Sequence, residues 1–136
     1  MLLKTPGAVA EFRRLLRVGP CADIPVSTSM PEDIAVPMVR IERIGGRPEN
    51  AVTDAPRFIA HVYAGTGPAA EALANQILDY MESGGWSHTR TPSGHLLRGG
   101  RTEVVMPLPD PDRPRLHRWQ VMGALRISRL TSRADS

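Results

Sequence analysis

Aromatic side chains are scarce in this chain of 136 residues: two Trp, two Tyr and two Phe make up 4% of it. Leu, Ile, Val, Ala and Met must therefore fill the core, and little remains for stacking nucleic-acid bases on rings. Cysteine occurs once, at Cys21, which excludes an internal disulfide and a thiolate metal cluster. Such a cysteine is expected to be a small, half-buried residue after a helix, in a reducing, cytoplasmic setting. No apolar run approaches the roughly 20 residues needed to span a bilayer, so no membrane partner is expected. The first stretch, MLLKTPGAVAEFRRLLRVG, carries charges among its apolar positions and does not read as a signal peptide.

Lysine is almost absent too. Lys4 is the exception, and the other sixteen of seventeen cationic side chains are arginines. Arginine enrichment suits protein interfaces, because the planar guanidinium pairs bidentately with carboxylates. Against 14 acidic residues the net charge is only +3, a weak argument for nucleic acid. With 41% hydrophobic and 23% charged residues, the composition is that of a globular protein. The length implies one domain over 1–130, followed by a flexible tail at 131–136.

Thr5-Pro6 supplies a cap and a first-turn proline, predicting a helix over 6–18 that ends at Gly19-Pro20. Its apolar face holds Val9, Phe12, Leu15 and Leu16, with Glu11, Arg13, Arg14 and Arg17 turned away. A short edge strand follows over 23–30, restricted by Pro25. The segment 36–44 alternates clearly: Val39 and Ile41 face one way, Arg40 and Glu42 the other. A polar connection over 45–56 leads to a strand in which Arg57, Ile59, His61 and Tyr63 share a face opposite Phe58, Ala60, Val62 and Ala64. The best-marked helix begins at Pro68, buries Ala70, Leu73, Ala74, Ile77, Leu78 and Met81, and closes at Gly84-Gly85. Glu71, Asn75, Asp79 and Glu82 make its wet side. The pattern is poor from 86 to 100. RTEVVMP then reads as a short strand, LPDPDRPRLH as an extended surface connection, and RWQVMGALRISRL as the cleanest strand. The order α-β-β-β-α-β-β predicts an α+β fold, a mixed or antiparallel sheet with two helices on one face.

Few residues form a pattern that carries chemistry. His61, His88, His95 and His117 lack metal-ligand spacing, and His88 and His95 read as solvated loop residues. GTGPAA before a helix lacks the third glycine of a phosphate loop, Ala70 standing in its place. Asp110 and Asp112 sit among prolines and arginines, where turns and interfaces are expected rather than catalysis. No catalytic residue, cofactor or metal is assigned.

One ordered set of motifs does carry a resemblance. PVST-x-x-P from Pro25, VRIERIGG from Val39, VTD-x-P-R from Val52 and V-Y-A from Val62 come first. An Ala-rich helix, LPDPDRP from Leu108 and a closing strand ending in arginine follow. The set resembles the tail terminator, or tail completion, proteins of long-tailed bacteriophages, particularly those infecting actinobacteria, and spans roughly residues 25–129. The resemblance implies a non-enzymatic virion protein that assembles in the host cytoplasm. Such proteins form a hexameric ring at the head-proximal end of the tail tube. The ring ends tube polymerisation and offers a surface to the head connector or stopper, while DNA passes through its lumen unread. Two alternatives are another connector or minor tail component and, from a different class, a small basic nucleic-acid-binding domain. The expected subunit contacts are Arg40, Glu42, Arg43, Arg57, Arg118 and Arg126 on strands. Arg47, Glu49, Asn50, Thr53 and Asp54 of the 45–56 loop join them, with Asp110, Asp112, Arg113 and Arg115 of the proline-rich connection.

Overall fold

The computed structural model describes residues 2–83, 89–91 and 94–131. Ten elements follow in order: β1 (Leu2–Leu3), α1 (Ala8–Val18), β2 (Val26–Ser27), β3 (Met38–Gly45), β4 (Thr53–Asp54), β5 (Arg57–Ala64), α2 (Gly67–Glu82), β6 (Thr89–Arg90), β7 (His95–Pro107) and β8 (His117–Thr131). All eight strands form one sheet, whose main path runs β2-β3-β5-β8-β7-β6. Among the described residues only the β2–β3 pair is parallel, so the sheet is mixed. The fold is α+β, and α1, the short β2, β3, β5, α2, β7 and β8 keep the order α-β-β-β-α-β-β.

The long strand β8 organises the sheet, because one short partner cannot cover its edge. Arg57 lies opposite Ala124 in β5, while Asp54 lies opposite Ile127 and Thr53 opposite Ser128 in β4. The register is unbroken across Pro56, whose carbonyl accepts from Leu125 N–H at 3.0 Å. β4 is thus the start of β5, interrupted by a proline that cannot donate to the ladder. Beyond it, Val52 O accepts from Arg129 N–H at 2.6 Å, and β1 pairs with Leu130 and Thr131. The expected loop over 45–56 therefore shrinks to residues 46–52. Its second half satisfies backbone groups that β8 would otherwise leave unpaired.

Alternation decides the two faces. Phe58, Ala60 and Val62 of β5 join Val39 and Ile41 of β3 and Val121, Leu125 and Ile127 of β8 in one buried cluster. Both helices cover this side. Phe12 of α1 stacks on Phe58 at 4.7 Å, and Leu73, Ala74, Ile77 and Met81 of α2 pack beside it. Gly123 lets α2 and β7 approach β8 closely: a Cβ there would come within 2.8 Å of Met81 Cε and strike the Arg101 carbonyl.

Several sequence expectations need correction. α1 begins at Ala8 with Gly7 before it, and Thr5 makes no cap. Glu11 is buried rather than turned away, and Cys21 is buried completely, its thiol pushed up to about 11 by burial. The expected strand over 23–30 keeps two residues. RTEVVMP is the second half of the thirteen-residue β7, which the glycines and three register shifts against β8 had hidden. His95 is not solvated: it is buried in β7, and its Nδ1 lies 2.9 Å from Ser128 O, an acceptor, so Nδ1 carries the proton. Thr131 ends β8 and is buried, whereas the rest of the expected tail lies outside the described residues. Gly84-Gly85 and His88 lie outside them as well.

Candidate functional site

The sheet face away from the helices gathers most of the expected contact residues. By register, Arg40 and Glu42 of β3 stand beside His61 and Ile59 of β5, and His61 and Tyr63 stand beside Gln120 and Arg118 of β8. On β7, Val104 and Met106 lie opposite Met122 and Gln120. This face therefore mixes arginine and carboxylate side chains with the exposed Val104 and Met106.

One end of this face is a cleft of about 540 Å³, lined by Arg47, Arg57, Arg101 and Arg126 with Glu49 and Glu103. Arg126 Nε and Nη2 donate to the two Glu49 carboxylate oxygens, each at 2.9 Å. Arg57 clamps Glu103 in the same way, at 3.0 and 2.7 Å. These bidentate bonds hold Glu49 and Glu103 below the usual carboxylate range, and Arg101 lowers both further by its charge. Among the described residues, Arg47 and Arg101 make no salt bridge. Four cations against two anions leave the cleft positive, and its two unclamped charges sit on the loop and on β7.

The other end is closed by the proline-rich connection. Asp110 is buried there, correcting the expectation of a wholly surface segment. Its Oδ2 accepts from Tyr63 OH and from Arg113 Nη1, both at 3.1 Å, and its Oδ1 accepts from Asp112 N–H at 3.0 Å. Arg118 completes the latch by donating to Leu108 O at 2.6 Å and Pro109 O at 3.2 Å.

Between the two ends, His61 Nε2 lies 2.7 Å from Glu42 Oε1. Burial lowers the His61 pKa although the Glu42 carboxylate pulls the other way. Its contribution to stability is therefore complete above the unfolded value, about 6.5, and falls as pH drops from there toward the depressed folded value. Thermal melts at about pH 5 and about pH 7.5 are expected to differ less in His61→Gln than in the unchanged protein. An equal difference would rule out this histidine as the source.

The remaining expected contact residues divide by exposure. Arg47, Glu49, Asn50, Asp112 and Arg115 are exposed, and Asn50 Oδ1 shapes the loop by accepting from Val52 and Thr53 N–H. Thr53, Asp54 and Asp110 are buried within the chain, so they shape the surface from beneath. Arg43 belongs to the helix-covered face, at its rim, where it donates to the Gly45 and Gly46 carbonyls. Sequence reading missed Arg101, Glu103 and Tyr63; the register shift of β7 at Glu103 hides the first two from any alternation.

Among the described residues, no group of three or more His, Cys, Asp or Glu side chains is placed to hold a metal ion, and no helix is long and apolar enough to cross a membrane. No protein-family model matches the sequence, and no curated protein matches it. Among solved structures, a chain from the structure described as "Virion of native gene transfer agent (GTA) particle" has the same fold. The TM-score is 0.62 over 88% of this chain and 92% of that one, at 13% identity.

Proposed function

We propose that this chain is a structural virion protein that forms a hexameric ring at the head-proximal end of a tail tube. There it ends tube polymerisation and presents a joining surface to the head connector, with DNA passing through the lumen. The observation that carries the reading is the fold shared along nearly the whole chain with a chain of a gene transfer agent virion. It coincides with the ordered tail-terminator motifs of the sequence. The open sheet face supplies what such a role requires, a broad polar surface with bidentate arginines and a few exposed apolar side chains. Its contacts are proposed to be the exposed Arg47, Glu49, Asn50, Asp112, Arg115 and Arg126, with the half-buried Arg40, Glu42, Arg57, Arg113 and Arg118 beside them. A ring needs a head-to-tail contact whose rotation closes, so two different patches of each copy must meet.

Electron microscopy of particles assembled without this protein tests the reading. Tails of abnormal, uncontrolled length without joined heads are expected. Uniform tails with detached heads would instead favour a stopper or other connector component. Uniform tails joined to heads would end the proposal.

A further inference from the structure

α2 and the arginine cleft are opposite in charge and lie on opposite faces of the sheet. α2 contains Glu71, Asp79 and Glu82 and no lysine or arginine. Glu82 is occupied, accepting from Thr102 N–H and Oγ at 2.6 and 2.7 Å. Glu71 and Asp79 are exposed and make no salt bridge among the described residues. Eight residues apart, they stand roughly 12 Å from each other along the helix. On the other side, Arg47 and Arg101 are the unclamped charges of the cleft. Apolar surface accompanies both. Val104 and Met106 are exposed on β7 beyond Arg101, and Ala69 and Ala72 of α2 border a groove with Val36 and Pro37.

We infer that the outer face of α2 in one copy docks against the Arg47–Arg101 cleft of the next copy, and that repetition of this contact builds the ring. The inference rests on the ring reading and names the two patches that meet. Because the patches differ, the contact is heterologous, as ring closure demands. α1 is no substitute, since Arg13, Arg14 and Arg17 make its outer side basic. Nucleic acid fits the cleft less well than a carboxylate-bearing helix does, because Glu49 and Glu103 inside it would face the phosphates. Isolated carboxylates two helical turns apart can instead meet the unclamped guanidinia while the two clamps stay closed.

The test compares self-association of four proteins by sedimentation velocity: the unchanged chain, Arg47→Glu/Arg101→Glu, Glu71→Arg/Asp79→Arg, and Glu32→Arg/Asp33→Arg as a control. All six substituted positions are exposed, so melting temperatures should stay close to that of the unchanged chain, which checks that each variant folds. The unchanged chain and the control are expected to associate at low salt, and the first two variants roughly tenfold or more weaker. An equimolar mixture of those two should recover association. In it a reversed helix meets a reversed cleft, and an unreversed helix meets an unreversed cleft.

An unchanged chain that stays monomeric, variants that associate like it, a mixture that does not recover, or a control that fails equally would each overturn the inference. So would a cleft-dependent, salt-sensitive DNA shift without self-association. The tail phenotype of particles lacking the protein is a separate readout: if it stands while the charge variants associate normally, the ring survives and this contact does not.

Discussion

Asp110→Ala is expected to lower the unfolding free energy by about 3 kcal/mol, the scale for removing one member of a buried, charged hydrogen-bond cluster. For a chain of this length that corresponds to roughly 10 °C in melting temperature. The carboxylate ties three segments together: the turn after β7 through Asp112 N–H and Arg113, β5 through the Tyr63 hydroxyl, and β8 through Arg118, whose Nη1 lies 3.9 Å away. Alanine would leave the Tyr63 hydroxyl without its acceptor in a buried site and the Arg113 guanidinium without its anion. Arg118 keeps the Leu108 and Pro109 carbonyls, so the connection should loosen around it rather than detach.

The pH dependence gives this prediction a second edge. Burial works to raise the Asp110 pKa, but the Asp112 N–H, Arg113, Tyr63 and the Arg118 charge together hold it below its usual value. A carboxyl with a depressed folded pKa contributes fully above its unfolded value, near 3.9, and loses that contribution as pH falls through the folded value. The gap between the unchanged protein and Asp110→Ala should thus be constant near neutrality and close in strong acid. A gap below about 1 kcal/mol at neutral pH would show that the latch does not hold the connection.

How much of this could be read from sequence varied with the reason each element forms. α2 and the outer parts of β3, β5 and β8 are visible because their periodicity is set by one buried face, as in Val39 and Ile41 against Arg40 and Glu42. β7 was half hidden, because a strand that slips its register three times against its partner also breaks its own alternation. β4 was hidden for a different cause. Thr53 and Asp54 are polar and lie just ahead of Pro56, and only the length of β8 makes a strand of them. The candidate surface follows the same division. Arg40, Arg57 and Arg118 were legible from alternation, whereas the clamps Arg126–Glu49 and Arg57–Glu103 join residues 77 and 46 positions apart, which no local pattern encodes. Asp110 was misplaced because prolines on both sides signal an exposed connection, and only the Tyr63 hydroxyl beneath it creates a buried partner.

Gly46→Ala is expected to cost about 3 kcal/mol, and its neighbour separates the causes. Gly45 and Gly46 both have positive φ, +131° and +85°, where an L side chain is strained by roughly 1–2 kcal/mol. At Gly45 a Cβ would meet nothing within 4 Å, so Gly45→Ala should show the conformational cost alone, about 1 kcal/mol. At Gly46 the same atom would strike the Ala55 carbonyl and come within 2.7 Å of Arg57 N and 2.9 Å of Pro56 Cα. These are backbone atoms of the strand that covers β8 and cannot rotate aside, so overpacking adds another 1–3 kcal/mol or so. The expected response is that the stretch from Val52 to Pro56 lifts from β8. Hydrogen exchange should then quicken at the Leu125 and Arg129 amides, which donate to the Pro56 and Val52 carbonyls. Because Glu49 lies on the displaced loop, its bond to Arg126 should break and leave a third arginine of the cleft unclamped. Equal costs at Gly45 and Gly46, with unchanged exchange at both amides, would mean that the close crossing of the loop ends does not hold the cleft in shape.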